Sequence, residues 1–246
     1  MIARARALLA RLLGRSSANP AQAGWSATDR YICEQLLSRD PAADLALGAS
    51  DAAGLPPIAV SANQGKLLEL LVRIQGAHRI LELGTLGGYS TIWLARGLPA
   101  GGKLVTLEAS PEFAEVARGN IAAAGLAEVV ELRVGPALQT LPELAGEAPF
   151  DLIFLDADKV NYTSYMEWSL KLSRPGTLII ADNVVGAGAI VESHGPDPWG
   201  EVGGVQGVRR LYEMLSAEPR LSATAIQTVG EKGYDGFALG LVTAEV

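Results

Sequence analysis

Oxygen-bearing side chains follow two apolar stretches of this sequence that have the composition of buried strands. Asp156 comes directly after residues 151–155, and Asp182 and Asn183 come directly after residues 177–181. The carboxyl ends of parallel strands meet at one edge of a sheet, so the three side chains are expected to converge on one crevice. Two carboxylates and an amide oxygen, without histidine or cysteine, suit Mg²⁺, with Ca²⁺ and Mn²⁺ as alternatives.

Three protein ligands would leave coordination positions open for water or for oxygen atoms of a substrate. Aspartate and asparagine also cap helices and form turns, so each residue taken alone has an ordinary structural interpretation. The occurrence of all three at two successive strand ends favours a divalent metal site over that interpretation.

A glycine-rich segment, residues 82–90, lies between the first predicted strand and a predicted helix. Its glycines let the backbone turn sharply, and the helix N-terminus beyond them favours an anion such as the carboxylate of a methionine moiety. Glu82 ends the strand, where it could attract a ligand ammonium. Glu108 ends the second predicted strand, where it could accept hydrogen bonds from ribose hydroxyls. The spacing differs from G-x-G-x-x-G, which disfavours a dinucleotide; an ordinary glycine turn beside a solvated glutamate is the alternative.

An alternation of strands and helices would position these residues. From His78 onwards, short apolar runs alternate with helical stretches, which predicts a parallel sheet with helices on both faces. The predicted strands are 79–83, 103–107, 129–134, 151–155 and 177–181, and the predicted helices between them are 89–97, 111–124, 137–144 and 162–172. A helix near 207–216 leads to apolar runs at 221–229 and 235–243, whose short glycine-containing turn predicts a closing antiparallel hairpin.

Three helices are predicted before the sheet. Ser26 or Thr28 can cap the first, Asp40 followed by Pro41 starts the second, and Ser61 opens the third.

The composition limits what the chain can do. Its 246 residues suffice for one large α/β domain, expected over 25–246 after a basic extension at 1–24. The formal net charge of −7 argues against nucleic-acid binding, which needs a basic surface. The single cysteine, Cys33, excludes a disulfide within this chain and fits the reducing cytoplasm. No stretch approaches the roughly 18–20 apolar residues of a membrane span.

Four segments together resemble the cation-dependent O-methyltransferases, the family that includes catechol and caffeoyl-CoA O-methyltransferases. They are residues 82–90, 135–137, 156–162 with Tyr165, and 182–183, and the similarity runs from about Trp25 to the end. The resemblance implies the class I methyltransferase fold, a Rossmann-like and mostly parallel sheet with a C-terminal antiparallel hairpin and N-terminal helices. It also implies S-adenosylmethionine (SAM) as methyl donor, a hydroxyl of a small aromatic as acceptor, a divalent cation, and a homodimer.

The resemblance implies roles at the matching positions. Asp156, Asp182 and Asn183 would bind the metal. Lys159 would act beside Asp156 in catalysis, as a general base or as a charge that stabilises a phenolate, with a surface lysine paired to an aspartate as the alternative. The cofactor site would be lined by Ser61, Glu82, Gly84, Ser90, Glu108, Ala137, Asp156, Asp158 and Tyr165.

Other functions stay open from the residues alone. A metal-independent methyltransferase of another small molecule or of RNA would keep the fold and change the reaction. A non-catalytic protein would keep the cofactor site without the chemistry. The loop 186–204 is the expected acceptor side, where Trp199 and His194 are candidates for contacting the acceptor.

Overall fold

The computed structural model describes residues 20–192 and 196–244. Most of the predicted basic extension and His194 therefore lie outside the described residues. Among the helices within these ranges, none has both the length and the apolar content that crossing a bilayer requires.

Within residues 20–192 and 196–244, seven strands form one sheet with helices packed against it. In chain order the strands are β1 (Arg79–Leu83), β2 (Lys103–Glu108), β3 (Val130–Val134), β4 (Leu152–Leu155), β5 (Leu178–Asp182), β6 (Leu221–Gly230) and β7 (Gly233–Val242). Across the sheet the order is β3-β2-β1-β4-β5-β7-β6, and the first five strands pair in parallel. β7 runs antiparallel to β5 and β6, which confirms the predicted hairpin.

The helices alternate with the strands as predicted. In chain order they are α1 (Pro20–Leu36), α2 (Pro41–Ala52), α3 (Ala62–Gln75), α4 (Tyr89–Gly97), α5 (Pro111–Ala123), α6 (Ala137–Thr140), α7 (Tyr162–Lys171) and α8 (Gly204–Ala217). The predicted starts of α2 and α3 are confirmed, because the Asp40 carboxylate accepts the N–H of Ala43 and the Ser61 hydroxyl accepts the N–H of Gln64.

Two helix predictions were wrong in extent. Neither Ser26 nor Thr28 caps α1, which begins at Pro20; Thr28 lies inside the helix and donates its hydroxyl to the Gly24 carbonyl. The helix predicted over 137–144 stops at Thr140 and continues as a 3₁₀ helix, Leu141–Gly146, whose first turn contains a proline that has no N–H to donate.

Both faces of the sheet are buried, as a parallel sheet requires. In β1, Leu81 and Leu83 belong to the apolar cluster on one face, whereas Ile80 belongs to the cluster on the other. Because side chains alternate along a strand, Glu82 lies on the same face as Ile80. A carboxylate is thus placed inside a hydrophobic core, which is costly unless hydrogen bonds satisfy it.

Candidate functional site

The predicted site residues collect at the edge of the sheet where the parallel strands end. Glu82 and Glu108 lie at the ends of β1 and β2, Asp156 follows β4, and Asp182 ends β5. The chain runs from β1 outward to β2 and β3, and from β4 outward to β5 in the other direction. The crevice between β1 and β4 is therefore a topological switch point, the usual ligand position in such sheets.

The Glu82 carboxylate accepts hydrogen bonds from the first turn of α4. Its Oε1 accepts the Ser90 hydroxyl at 2.7 Å, and its Oε2 accepts the hydroxyls of Thr91 at 2.5 Å and Thr106 at 2.7 Å. Burial raises the pKa of Glu82 to about 7, against the effect of these three hydrogen bonds. The side chain is fully buried and positions Ser90 and Thr91, and its direct contact with a ligand ammonium stays a prediction.

Glu108 is bound to the glycine loop through backbone N–H groups. Its Oε2 accepts the N–H of Leu86 at 2.8 Å, and its Oε1 accepts that of Ser110 at 2.9 Å. Burial raises the pKa of Glu108, and its backbone hydrogen bonds oppose that rise. An ionised carboxylate has about four acceptor positions, so two such bonds leave capacity for ligand hydroxyls.

The glycine loop is a rigid turn. Gly84 and Gly88 adopt φ angles of 97° and 81°, which suit glycine, and Gly88 precedes the first residue of α4. The Gly87 carbonyl accepts the side-chain amide of Asn120 at 2.8 Å. The loop is therefore held at Leu86 by Glu108 and at Gly87 by Asn120.

Lys159 lies in the interior beside Asp156. Its Nζ is 3.2 Å from Asp156 Oδ1 and 2.9 Å from the Ala157 carbonyl oxygen, and it lies 5.0 Å above the centre of the Tyr162 ring. The lysine is 5% exposed, so the alternative of an exposed surface ion pair is excluded. Burial alone would lower the pKa of Lys159, but Tyr162, Asp156 and Asp182 outweigh it and raise that pKa.

Tyr162 joins the two strand ends that carry the aspartates. Its buried hydroxyl lies 3.1 Å from the Leu155 carbonyl oxygen and donates to the Asp182 carbonyl oxygen at 2.7 Å. Leu155 is the residue before Asp156, so this one side chain links the paired ends of β4 and β5 where the predicted metal ligands begin.

Asp182 is the most enclosed of the predicted metal ligands. Its Oδ1 accepts the N–H of Asn183 at 2.8 Å, and its Oδ2 accepts the side-chain amide of Gln64 at 2.7 Å. Burial raises the pKa of Asp182, and the nearby Asp156 raises it further. The structure thus brings the two aspartates together, with Asn183 directly following in the left-handed region at a φ of 54°.

The remaining predicted cofactor residues lie on the loops around this crevice. Asp158 accepts hydrogen bonds from the Tyr165 hydroxyl and the Asn161 side-chain amide. Ala137 is half-buried at the start of α6, and Gly135 before it donates its N–H to the Glu108 carbonyl at 2.8 Å. Ser61 caps α3, whose first turn reaches the crevice through Gln64.

Three functional neighbours were missed by the sequence analysis: Gln64, Glu201 and Asp235. Glu201 Oε2 accepts the N–H groups of Lys159 at 2.6 Å and Val160 at 3.2 Å. Asp235 Oδ1 accepts those of Val185 and Gly186 at 3.0 and 2.9 Å. Each of the three lies far along the chain from the residues that it contacts, so no local sequence pattern predicts the contact.

Within the part of the chain that the structure describes, no group of three histidine, cysteine or acidic side chains is arranged to hold a metal ion. A cation in this crevice would therefore depend on Asp156, Asp182 and the amide of Asn183, with oxygen atoms from outside the protein completing its coordination.

Comparison with known proteins places the chain among enzymes. The sequence model of the O-methyltransferase family matches residues 44–239. A catechol O-methyltransferase of Mycobacterium tuberculosis is 54% identical over 215 residues, which covers 87% of this chain and 94% of that protein. A catechol O-methyltransferase of Niastella koreensis is 49% identical over 220 residues, covering 89% and 97%.

Solved structures agree with the sequence comparison. The O-methyltransferase from Bacillus cereus in complex with SAH is 54% identical, with a TM-score of 0.86 over 90% of this chain and 100% of that one. TomG from Streptomyces achromogenes in complex with SAM is 52% identical, with a TM-score of 0.85 over 91% and 99%.

Proposed function

This chain belongs to the O-methyltransferase family and is a SAM-dependent O-methyltransferase, and from that premise we propose that it methylates one of two adjacent hydroxyls of a small aromatic with the help of a divalent cation. The observation that carries the proposal is the placement of Asp156 and Asp182 on neighbouring strand ends, with the buried Lys159 beside them.

The cofactor would lie along the carboxyl ends of β1 and β2. Ser90 is held at the beginning of α4 by Glu82, where a helix N-terminus favours the methionine carboxylate. Glu108 keeps acceptor capacity for ribose hydroxyls. Gly84 supports the turn between them.

The remaining cofactor residues would border the rest of the ligand. Ala137, Asp158, Tyr165 and Ser61 lie on loops and helix ends at the same edge of the sheet. The Tyr165 hydroxyl donates to Asp158 and so orients its carboxylate. The two side chains would contact the cofactor together.

The donor set fits a hard divalent cation. Asp182 is almost fully buried, and the charge of the nearby Asp156 raises its pKa further. A cation bound by both carboxylates would stabilise their ionised forms in this buried position. Asn183 supplies an amide oxygen at the adjacent position, and Mg²⁺ is the proposed ion.

The chain's own residues would then act on the acceptor hydroxyl. A phenol has a pKa near 10 and is protonated at neutral pH. A bound divalent cation lowers the pKa of a hydroxyl that coordinates it. Lys159 is placed to stabilise the phenolate oxygen, since its Nζ lies beside Asp156 and donates to the Ala157 carbonyl. It would take the proton only once a bound cation offset the charges of Asp156 and Asp182, which raise its pKa. Holding the oxygen in line with the methyl group contributes several kcal/mol.

A catechol-like acceptor agrees with the names of the relatives and with the expected open positions on the cation. The loop containing Trp199 would form the acceptor side of the pocket. Asp197 accepts the N–H of Trp199 at 3.0 Å and that of Val205 at 2.9 Å, which ties this loop to the start of α8.

The assembly and the location of the protein are part of the same proposal. Tyr31 and Leu36 on α1 are 64% and 75% exposed, so α1 offers apolar surface for a homodimer. Residues 25–246 would form one domain, and the single cysteine suits the cytoplasm.

The test is methyl transfer from labelled SAM to catechol and to phenol, with Mg²⁺ or with excess EDTA. We expect transfer to catechol that requires Mg²⁺ and much slower transfer to phenol, which cannot chelate. Full catechol methylation in excess EDTA would contradict the role of the metal, and equal rates with phenol would contradict the need for adjacent hydroxyls.

A further inference from the structure

The side chain of Gln64 crosses from α3 to the end of β5. Its Nε2 donates to Asp182 Oδ2 at 2.7 Å, although the two residues are 118 positions apart in the chain. A carboxylate oxygen can only accept, so the amide must turn its NH₂ group toward Asp182.

Asp182 needs such a partner because it is 4% exposed. Its other oxygen, Oδ1, accepts the N–H of the adjacent Asn183. Because these two residues are neighbours in the chain, this bond does not fix the carboxylate relative to any other element. The bond from Gln64 comes from a different element, so it limits rotation of the carboxylate relative to the rest of the crevice. An oxygen that accepts one hydrogen bond keeps a second acceptor position, so the Gln64 bond leaves Asp182 free to bind a cation.

Gln64 is itself held in place by its surroundings. The Ser61 hydroxyl accepts its backbone N–H at 3.3 Å. The next residue, Gly65, packs against the indole of Trp93 so closely that a Cβ atom there would lie 2.4 Å from Cδ1. The preceding residue, Asn63, donates to Asp29 Oδ1 at 2.9 Å. The first turn of α3 is therefore anchored on α4 and on α1.

We propose that Gln64 is a positioning residue for the metal site: it orients the Asp182 carboxylate and joins it to the helix that begins beside the cofactor crevice. The inference rests on the proposed function, because it needs Asp182 to be a metal ligand. Hydrogen-bond partners of metal-binding carboxylates commonly change metal affinity by about 10- to 100-fold when they are removed.

The experiment measures Mn²⁺ affinity of the full chain by electron paramagnetic resonance in the absence of acceptor. Gln64→Met keeps the length of the side chain and removes the donor. Gln75→Met is the matched control, because it makes the same substitution at the other end of α3, where the Gln75 amide donates to the Gly176 carbonyl. Thermal melts show that each variant is folded, and Gln64→Ala replaces Gln64→Met if the latter does not fold.

We expect Gln64→Met to bind Mn²⁺ about 10- to 100-fold more weakly than the wild type and Gln75→Met to bind as the wild type does. Wild-type affinity in Gln64→Met, or equal weakening in Gln75→Met, would overturn the inference and leave the metal site standing. Asp182→Asn separates the two ideas: if the wild type binds no Mn²⁺, or if Asp182→Asn binds it equally well, the proposed metal site fails and the inference fails with it.

Discussion

Gly84 lies directly against the backbone of Asp156. A Cβ atom on Gly84 would fall 2.0 Å from the Asp156 carbonyl oxygen, a distance at which the two loops would have to separate. The cofactor loop after β1 and the proposed metal loop after β4 are thus in contact, and the absence of a side chain at residue 84 permits it.

Gly84→Ala should therefore damage both loops. We expect a loss in the free energy of unfolding of about 2–5 kcal/mol, from the left-handed backbone and from overpacking, together with weaker SAM binding by calorimetry. Gly176→Ala is the matched control, since Gly176 has a φ of 94°, close to the 97° of Gly84, and open space around its Cβ position. It should cost about 1–2 kcal/mol and leave SAM affinity intact; equal effects of the two variants would contradict the contact argument.

Lys159→Ala should lower catechol methylation by about 10²–10⁴-fold, the range for losing a group that stabilises developing charge or transfers a proton. Asp156→Ala should also lower it strongly, because the residue is a proposed metal ligand. SAM affinity should change less than the rate in both variants. Lys171→Ala, on the exposed side of α7, serves as the control and should keep full activity. A Lys159→Ala enzyme as fast as the wild type would remove Lys159 from the mechanism.

Tyr162→Phe removes a buried hydroxyl that lies within hydrogen-bonding distance of two backbone carbonyls. Leaving the carbonyls of Leu155 and Asp182 without this partner should lower the free energy of unfolding by about 1–3 kcal/mol. Tyr212→Phe, which removes a single half-buried bond to the Val184 carbonyl, should cost less. Urea unfolding measures both; a larger loss in Tyr212→Phe would show that the two strand ends do not depend on Tyr162.

The stability of the protein should depend on pH through Glu82. The folded protein raises the pKa of Glu82 to about 7, from 4.5, so the folded state holds a proton that the unfolded chain releases between these values. Stability from this group is complete below about pH 4.5 and is lost as the pH rises toward 7.

Glu82→Gln cannot titrate, so comparison with the wild type isolates this effect. The free energy of unfolding of Glu82→Gln minus that of the wild type should increase between pH 5 and 7 by up to about 1.4 kcal/mol per pH unit. Urea unfolding across this range tests the sign, and a difference that stays constant or falls with pH would contradict it.

The order of strands and helices could be predicted from the sequence because hydrophobic periodicity is local. The predicted last residues of β1 and β4, Leu83 and Leu155, are the observed ones. The orientation of Glu82 could not be predicted, since a carboxylate at a strand end can face the crevice or the core. The partners of Asp182 and Lys159 also escaped prediction: Gln64 and Glu201 reach them only after the chain has folded.

The strand order also determines which strand edges stay unpaired while the chain is being synthesised. β1 pairs on one side with β2, the next strand along, but on the other side with β4, where Ile80 lies opposite Leu152. At about 5–20 residues per second, some seconds pass between synthesis of these two residues. Throughout that interval the flank of β1 that will border the crevice has no partner strand, and an unpaired apolar edge of this kind is prone to aggregation until β4 has been made.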